Sequence, residues 1–152
     1  MERKFIFVCI LFAMLSTLNA IPHQLHKRDT FFQKCTKEPP SGKLDVTFTP
    51  NPLVPGSPSI FEVSGILGNP IPVDSVLIIE ITDNNENFLS VSNYDMCPTL
   101  GCPYPAENPF TVTAEFQSPA VLPDQYTITV AVAGQIGKLA VGCSFENVGK
   151  AP

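Results

Sequence analysis

The 152-residue chain has no tryptophan and only two histidines, and its only arginines are Arg3 and Arg28. His23, His26 and both arginines all fall within the first 28 residues. Beyond that point there is no imidazole to act as a general base, to activate a serine or cysteine, or to bind a metal. Guanidinium is missing there too. Nucleic-acid binding needs a dense basic footprint to displace counterions, and a chain of net charge −5 with so few cations lacks one. Long helices are also disfavoured, because each of the 16 prolines would remove a hydrogen bond from a helix interior and clash with the preceding turn. Carboxylate, lysine, tyrosine and serine remain for chemistry, on a chain of one-domain length.

The longest apolar run, Phe5 to Leu18, follows Glu2-Arg3-Lys4 and ends at Asn19-Ala20. This is the layout of a secretory signal peptide over residues 1–20. Its 14 residues fall short of the roughly 20 that span a bilayer, and no later stretch is longer, so no transmembrane anchor is expected. Residues 21–28 end in Lys27-Arg28 and are expected to be a pro-segment cut after Arg28. Residues 29–152 then form a single domain with five lysines (Lys34, Lys37, Lys43, Lys138, Lys150) against thirteen acidic residues, a net charge of −8.

Of the five cysteines, Cys9 lies in the signal segment, which leaves Cys35, Cys97, Cys102 and Cys143. Four cysteines behind a secretion signal imply two disulfides, with three possible pairings. The turn-like Pro98-Thr99-Leu100-Gly101 brings Cys97 and Cys102 within reach of each other, so Cys35 is left for Cys143. A four-cysteine zinc site needs a close pair at each end, and only one exists. No metal or other cofactor is expected.

Alternation supplies the strands. Leu44, Val46 and Phe48 alternate with polar residues, as do Phe61, Val63, Gly65 and Leu67. Val76 to Thr82 is almost continuously aliphatic, with Glu80 marking the outer face and Leu77, Ile79 and Ile81 the inner one. Phe88 to Asn93 is a weaker strand. Phe110, Val112, Ala114 and Phe116 form a fifth, and Tyr126, Ile128, Val130 and Val132 a sixth. Leu139, Val141, Cys143 and Phe145 form the last, after a glycine-bounded hairpin turn at 134–137. About seven such strands, punctuated by Pro-Gly and Asn-Pro, predict an all-β, two-sheet antiparallel sandwich with no required helix.

Several motifs occur together: an early cysteine before Leu44-x-Val46-x-Phe48, Asn51-Pro52-Leu53-Val54-Pro55-Gly56, Tyr94-Asp95-Met96-Cys97, Gly101-Cys102-Pro103, Leu122-Pro123-Asp124-Gln125-Tyr126-Thr127-Ile128, and a late cysteine on the last strand. In this order they resemble the ML lipid-recognition domain, most of all its fungal phosphatidylglycerol/phosphatidylinositol transfer branch, which is related to the Niemann-Pick type C sterol carrier. The likeness runs from Cys35 to about Phe145. It implies an immunoglobulin-like sandwich whose sheets stand apart around a phospholipid or sterol, the same two disulfides, and no catalysis. Other members have six cysteines, and this chain keeps the counterparts of two bridges.

The inward positions Phe48, Phe61, Val63, Leu77, Ile79, Phe110, Val112, Phe116, Tyr126, Ile128, Val130, Val141 and Phe145 are the candidates for a lipid cavity. Alternation alone does not separate a lined cavity from a filled core, since sandwiches ordinarily interdigitate at about 10 Å sheet spacing. Met96, Leu100 and Tyr104, on the disulfide-held loop, are the candidates for its mouth. Without arginine beyond residue 28, a head group would rely on lysine, backbone N–H or hydroxyl donors. Contact with anionic membranes would be brief at this net charge. The protein is expected to be a monomer, secreted or held in a vacuolar or lysosomal lumen. Two other classes stand beside the carrier: a secreted sandwich with a filled core that acts through its surface as a binding or effector module, and a two-carboxylate hydrolase, for which Glu62 and Glu80, both on outward faces, offer no support.

Overall fold

The computed structural model describes residues 31–36, 42–134 and 140–149. The expected signal peptide, pro-segment and residues 135–137 of the hairpin turn lie outside the described residues. Alternating sequence becomes strand throughout: β1 (Gln33–Lys34), β2 (Asp45–Thr49), β3 (Pro58–Ile66), β4 (Ser75–Asp83), β5 (Phe88–Asp95), β6 (Pro109–Gln117), β7 (Tyr126–Gly134) and β8 (Ala140–Val148). All the pairings between these strands are antiparallel, in a five-stranded sheet of order β1-β8-β7-β4-β5 and a three-stranded sheet of order β2-β3-β6. Two elements go beyond the sequence expectation. One is the two-residue β1, too short to show alternation. The other is a helical turn, α1 (Cys97–Leu100), closed by Gly101 at φ 72° within the small disulfide loop.

The sheets bury their apolar faces against each other, which is the main driving force for this architecture. A row of rings crosses the interior: Phe32 meets Phe48 edge-on at 6.3 Å, Phe48 stacks on Phe61 at 5.2 Å, and Phe61 meets Phe116 edge-on at 5.6 Å. Phe48 and Phe61 are direct register partners on β2 and β3, so the strand pairing itself makes their stack. Cys35 and Cys143 are bonded across 5.5 Å between Cα atoms, and Cys97 and Cys102 across 4.9 Å.

β8 differs from its expected register. Val130 on β7 is buried and faces inward, and its partner on β8 is Ser144; Val132 pairs with Gly142 and Ile128 with Glu146. The inner face of β8 is therefore Gly142, Ser144, Glu146 and Val148. Phe145 pairs with Thr129 on the opposite, outer face, and Val141 sits at a bulge, half-buried at the margin of the core. Expecting hydrophobic residues inside selects the wrong parity because this strand packs closely against residues 42–44, the segment leading into β2. A β-carbon built on Gly142 would lie 2.8 Å from Leu44 Cδ2 and 3.0 Å from Leu67 Cδ2.

At that contact Ser144 is fully buried. Its hydroxyl donates to the Leu44 carbonyl at 2.8 Å and accepts from the Leu44 N–H at 2.9 Å. Ser144→Ala strands both Leu44 groups without water. It is expected to lower unfolding free energy by about 1–3 kcal/mol in urea titrations. A loss within error would mean that Leu44 finds other partners.

Candidate functional site

The candidate site is the interior between the sheets. Eleven of the thirteen expected lining residues lie there in one buried cluster: Phe48, Phe61, Val63, Leu77, Ile79, Phe110, Val112, Phe116, Tyr126, Ile128 and Val130. Val141 touches its edge and Phe145 lies outside it, as the register of β8 requires. Sequence reasoning missed Phe32, Leu53 and Ile71, which are buried in the same cluster but sit outside the strands, where no alternation marks them. It also missed Ser59 and Ser118, a buried pair with hydroxyl oxygens 3.4 Å apart.

The mouth expected at Met96, Leu100 and Tyr104 is not found in that form. Met96 is 2% exposed and belongs to the core, while Leu100 and Tyr104 are half-buried against it. The loops at this end are laced to each other. Ile71 and Tyr104 exchange two backbone hydrogen bonds of 2.9 Å, the Glu107 N–H donates to the Leu67 carbonyl at 2.8 Å, and the Tyr104 hydroxyl donates to the Pro109 carbonyl at 2.7 Å. The opposite end is built from residues 50–57, 84–87 and 118–125. There the Gly56 N–H donates to the Pro119 carbonyl at 2.9 Å and Asn84 Nδ2 donates to Gln125 Oε1 at 2.8 Å. These joined segments, with the adjoining start of β5, expose Val54 (45%), Phe88 (72%) and Val121 (78%).

The two lateral seams between the sheets differ in kind. At the seam between β8 and the segment leading into β2, called the β2–β8 seam, the backbones bond directly: the Gly42 N–H donates to the Val141 carbonyl and the Cys143 N–H to the Gly42 carbonyl, both at 2.9 Å, beside the Ser144 pair. At the β5–β6 seam the strands face each other across the interior without a ladder, and the Tyr94 hydroxyl donates to the Glu115 carbonyl. On β5 the inward positions are Ser90, Ser92 and Tyr94, the partners of Ile81, Ile79 and Leu77. All three are half-buried, whereas the β4 residues beside them are fully buried.

Electrostatics place little charge inside. Glu62 lies on the outer face of the three-stranded sheet and Glu80 on the outer face of the five-stranded one, so they do not form a carboxylate pair. Glu80 sits between Val91 and Thr129, and partial burial raises its pKa above 4.5. At Asp83 the side-chain amide of Asn87, then the backbone N–H groups of Asn87 and Asn85, hold the carboxyl below its ordinary value. The signs are opposite. Glu80 favours the fold when protonated, an effect present below pH 4.5 and lost as pH rises through its raised value. Asp83 favours the fold when ionised, an effect present above pH 3.8 and lost as pH falls through its lowered value. Glu80→Gln is therefore expected to melt above the wild type at pH 7, with the difference closing below pH 4.5 in thermal scans. A difference independent of pH would assign the effect to packing.

Among the described residues no cluster of three His, Cys, Asp or Glu side chains is placed to hold a metal, and no helix is long and apolar enough to cross a membrane. Fold and interior together define a disulfide-tied antiparallel β-sandwich whose buried apolar side chains converge on the space between its sheets. Residues 29–145 match the ML domain, and the chain belongs to the ML domain family. No curated protein matches the chain. Among solved structures, it is similar to a Niemann-Pick type C2 protein from the Japanese carpenter ant, with 11% identity and a TM-score of 0.55 over 78% of this chain and 97% of that one. Chicken MD-1 complexed with lipid IVa is also similar, with 12% identity and a TM-score of 0.48 over 77% of this chain and 86% of that one.

Proposed function

We propose that this protein is a non-enzymatic lipid carrier that takes a phospholipid, of the phosphatidylglycerol or phosphatidylinositol type, or a sterol between its two sheets and moves it between membranes outside the cell or in a lumenal compartment. The observation that carries it is the ML domain match over residues 29–145, on a chain whose apolar surface converges on one inter-sheet space. The fold shared with the carpenter ant protein supports the same frame.

The energetics are those of transfer. A lipid leaves a bilayer slowly because its chains must enter water, at about 0.8 kcal/mol per methylene. A greasy interior replaces that exposure, while the polar head stays at the surface, where its charge keeps its water. In the described conformation the interior side chains rest on one another, so a guest is admitted as the sheets separate and the aromatic row turns aside. The dispersion attraction that the side chains give up among themselves is recovered against the guest.

A second reading, a binding module with a permanently filled core, is favoured by the complete burial of Phe61, Phe116, Ile79 and Ile128. Organic extraction of the purified protein, followed by mass spectrometry, separates the two. The carrier releases near-stoichiometric lipid or takes up offered phospholipid, and the module does neither.

Membrane contact is assigned to the end that exposes Val54, Phe88 and Val121 rather than to the laced loop of Met96 to Tyr104. The neighbouring Asp83 and Asp124 and the overall negative charge disfavour anionic surfaces. Phe88→Ser/Val121→Ser is expected to weaken sedimentation with phosphatidylcholine vesicles severalfold while leaving the melting temperature unchanged. Undiminished binding would place the contact elsewhere.

A further inference from the structure

We propose that the acyl chain enters and leaves through the seam between β5 and β6, with the Tyr94 hydroxyl as its latch and the hydroxyls of Ser90 and Ser92 as hydrogen-bonding groups for the polar end of an acyl lipid. The proposal rests on the carrier reading and names where that reading operates.

Strand order supplies the first reason. β5 pairs only with β4, and β6 only with β3, so each is the edge of its sheet. Moving one from the other breaks no ladder hydrogen bond. The β2–β8 seam lacks this freedom, because two backbone bonds and both Ser144 bonds join the sheets there, in a buried setting where broken partners find no water. The laced loops between residues 67 and 107 close the adjacent end. The sandwich is thus hinged along β2–β8 and along one end, which leaves the β5–β6 edge as the side that swings.

The latch itself is weak by construction. Tyr94 donates to the Glu115 carbonyl from a half-buried position, and Glu115 is exposed, so both groups exchange the bond for water as the seam parts. Behind it the lining changes character. Inward positions along β4 and β7 include Leu77, Ile79, Ile81, Ile128 and Val130, all buried, whereas β5 turns the small hydroxyl residues Ser90 and Ser92 inward between Leu89 and Tyr94, which pack half-buried against the core. Ala114, an inward position on the other edge strand β6, is also small. Small side chains on both sides leave room for a polymethylene chain, and two serines on the rim supply donors to ester or phosphate oxygens where arginine is lacking. Phe88, exposed at the first residue of β5, continues the same edge toward the apolar end.

The test is the kinetics of lipid exchange with the full folded protein, read with a pyrene-labelled phosphatidylglycerol carried in phosphatidylcholine vesicles. Tyr94→Phe keeps the ring and removes the latch. Uptake and release rates are expected to rise together by about two- to tenfold, the range that the loss of one hydrogen bond permits, with the equilibrium distribution little changed. Ser92→Trp obstructs the seam from inside and is expected to slow uptake at least tenfold, with near-ultraviolet circular dichroism reporting that the fold is intact. If that variant fails to fold, Tyr94→Phe still decides. Rates in Tyr94→Phe equal to those of the wild type overturn the proposal. So does a matching acceleration in Tyr104→Phe, which would move the entrance to the end closed by the laced loops. Failure of the carrier reading looks different: the wild type itself then takes up no labelled lipid.

Discussion

Replacing Cys35 and Cys143 together by alanine is expected to remove about 4–5 kcal/mol of unfolding free energy, whereas the same double change at Cys97 and Cys102 removes about 2 kcal/mol. The difference follows from loop length. The first bridge closes a separation of 108 residues and the second a separation of 5. In the chain-entropy account, the longer closure withdraws more conformations from the unfolded ensemble. The long bridge also joins the segment carrying β1 to β8, beside the seam where the sheets share backbone hydrogen bonds, so its loss is felt where the sandwich is hinged. A domain of this size has about 5–15 kcal/mol in total, and the long-bridge variant should therefore unfold at a much lower urea concentration. Equal losses from the two variants would show that chain entropy is not the main contribution of either bridge.

Phe61→Ala is expected to cost about 3–5 kcal/mol, which is the range for deleting a large ring from a packed core. Phe61 has no solvent exposure and stands in the middle of the aromatic row, stacked on Phe48 and edge-on to Phe116. Its removal leaves both neighbours with one face unopposed, and strand pairing on either side limits how far they can collapse into the gap. Phe145→Ala is the internal comparison. By alternation the two phenylalanines are equivalent inward residues, but the register of β8 puts Phe145 on the outer face, half-buried, and its truncation is expected to cost about 1 kcal/mol or less. Urea titrations of the pair measure the difference directly. Similar losses would mean that Phe145 packs inward and that the register of β8 is otherwise.

Much of the fold is legible in the sequence, and the reason lies in period-two patterning. Where a strand is polar on one face, as β3 with Glu62 and Ser64 or β6 with Thr111, Thr113 and Glu115, alternation assigns the inward apolar residues correctly and misses only a polar one, Ser59. β8 is different. Its hydrophobic residues Val141, Cys143 and Phe145 alternate with Gly142, Ser144 and Glu146, and a rule that puts apolar groups inside chooses the wrong set. Gly142 is inside because no side chain fits against Leu44 and Leu67, and Ser144 because it satisfies the Leu44 backbone. Met96 is misplaced by the sequence for a related reason. A loop residue beside a disulfide carries no periodicity, and only the packing of that loop over the interior shows that its side chain is buried.

The order of residues alone determined the sheet-forming segments and their polar faces, the sharing of four cysteines between a short and a long bridge, and the lack of histidine and arginine beyond residue 28. These follow from spacing and side-chain type, which act over a few neighbours. Tertiary contact decided the rest: which face of β8 turns inward, which loop is pinned and which is left greasy, and that one edge of the sandwich is joined by backbone while the other is held by a tyrosine hydroxyl. Such features arise between strands distant in the chain, where close approach and the need to satisfy buried polar groups outweigh the preference of any single residue.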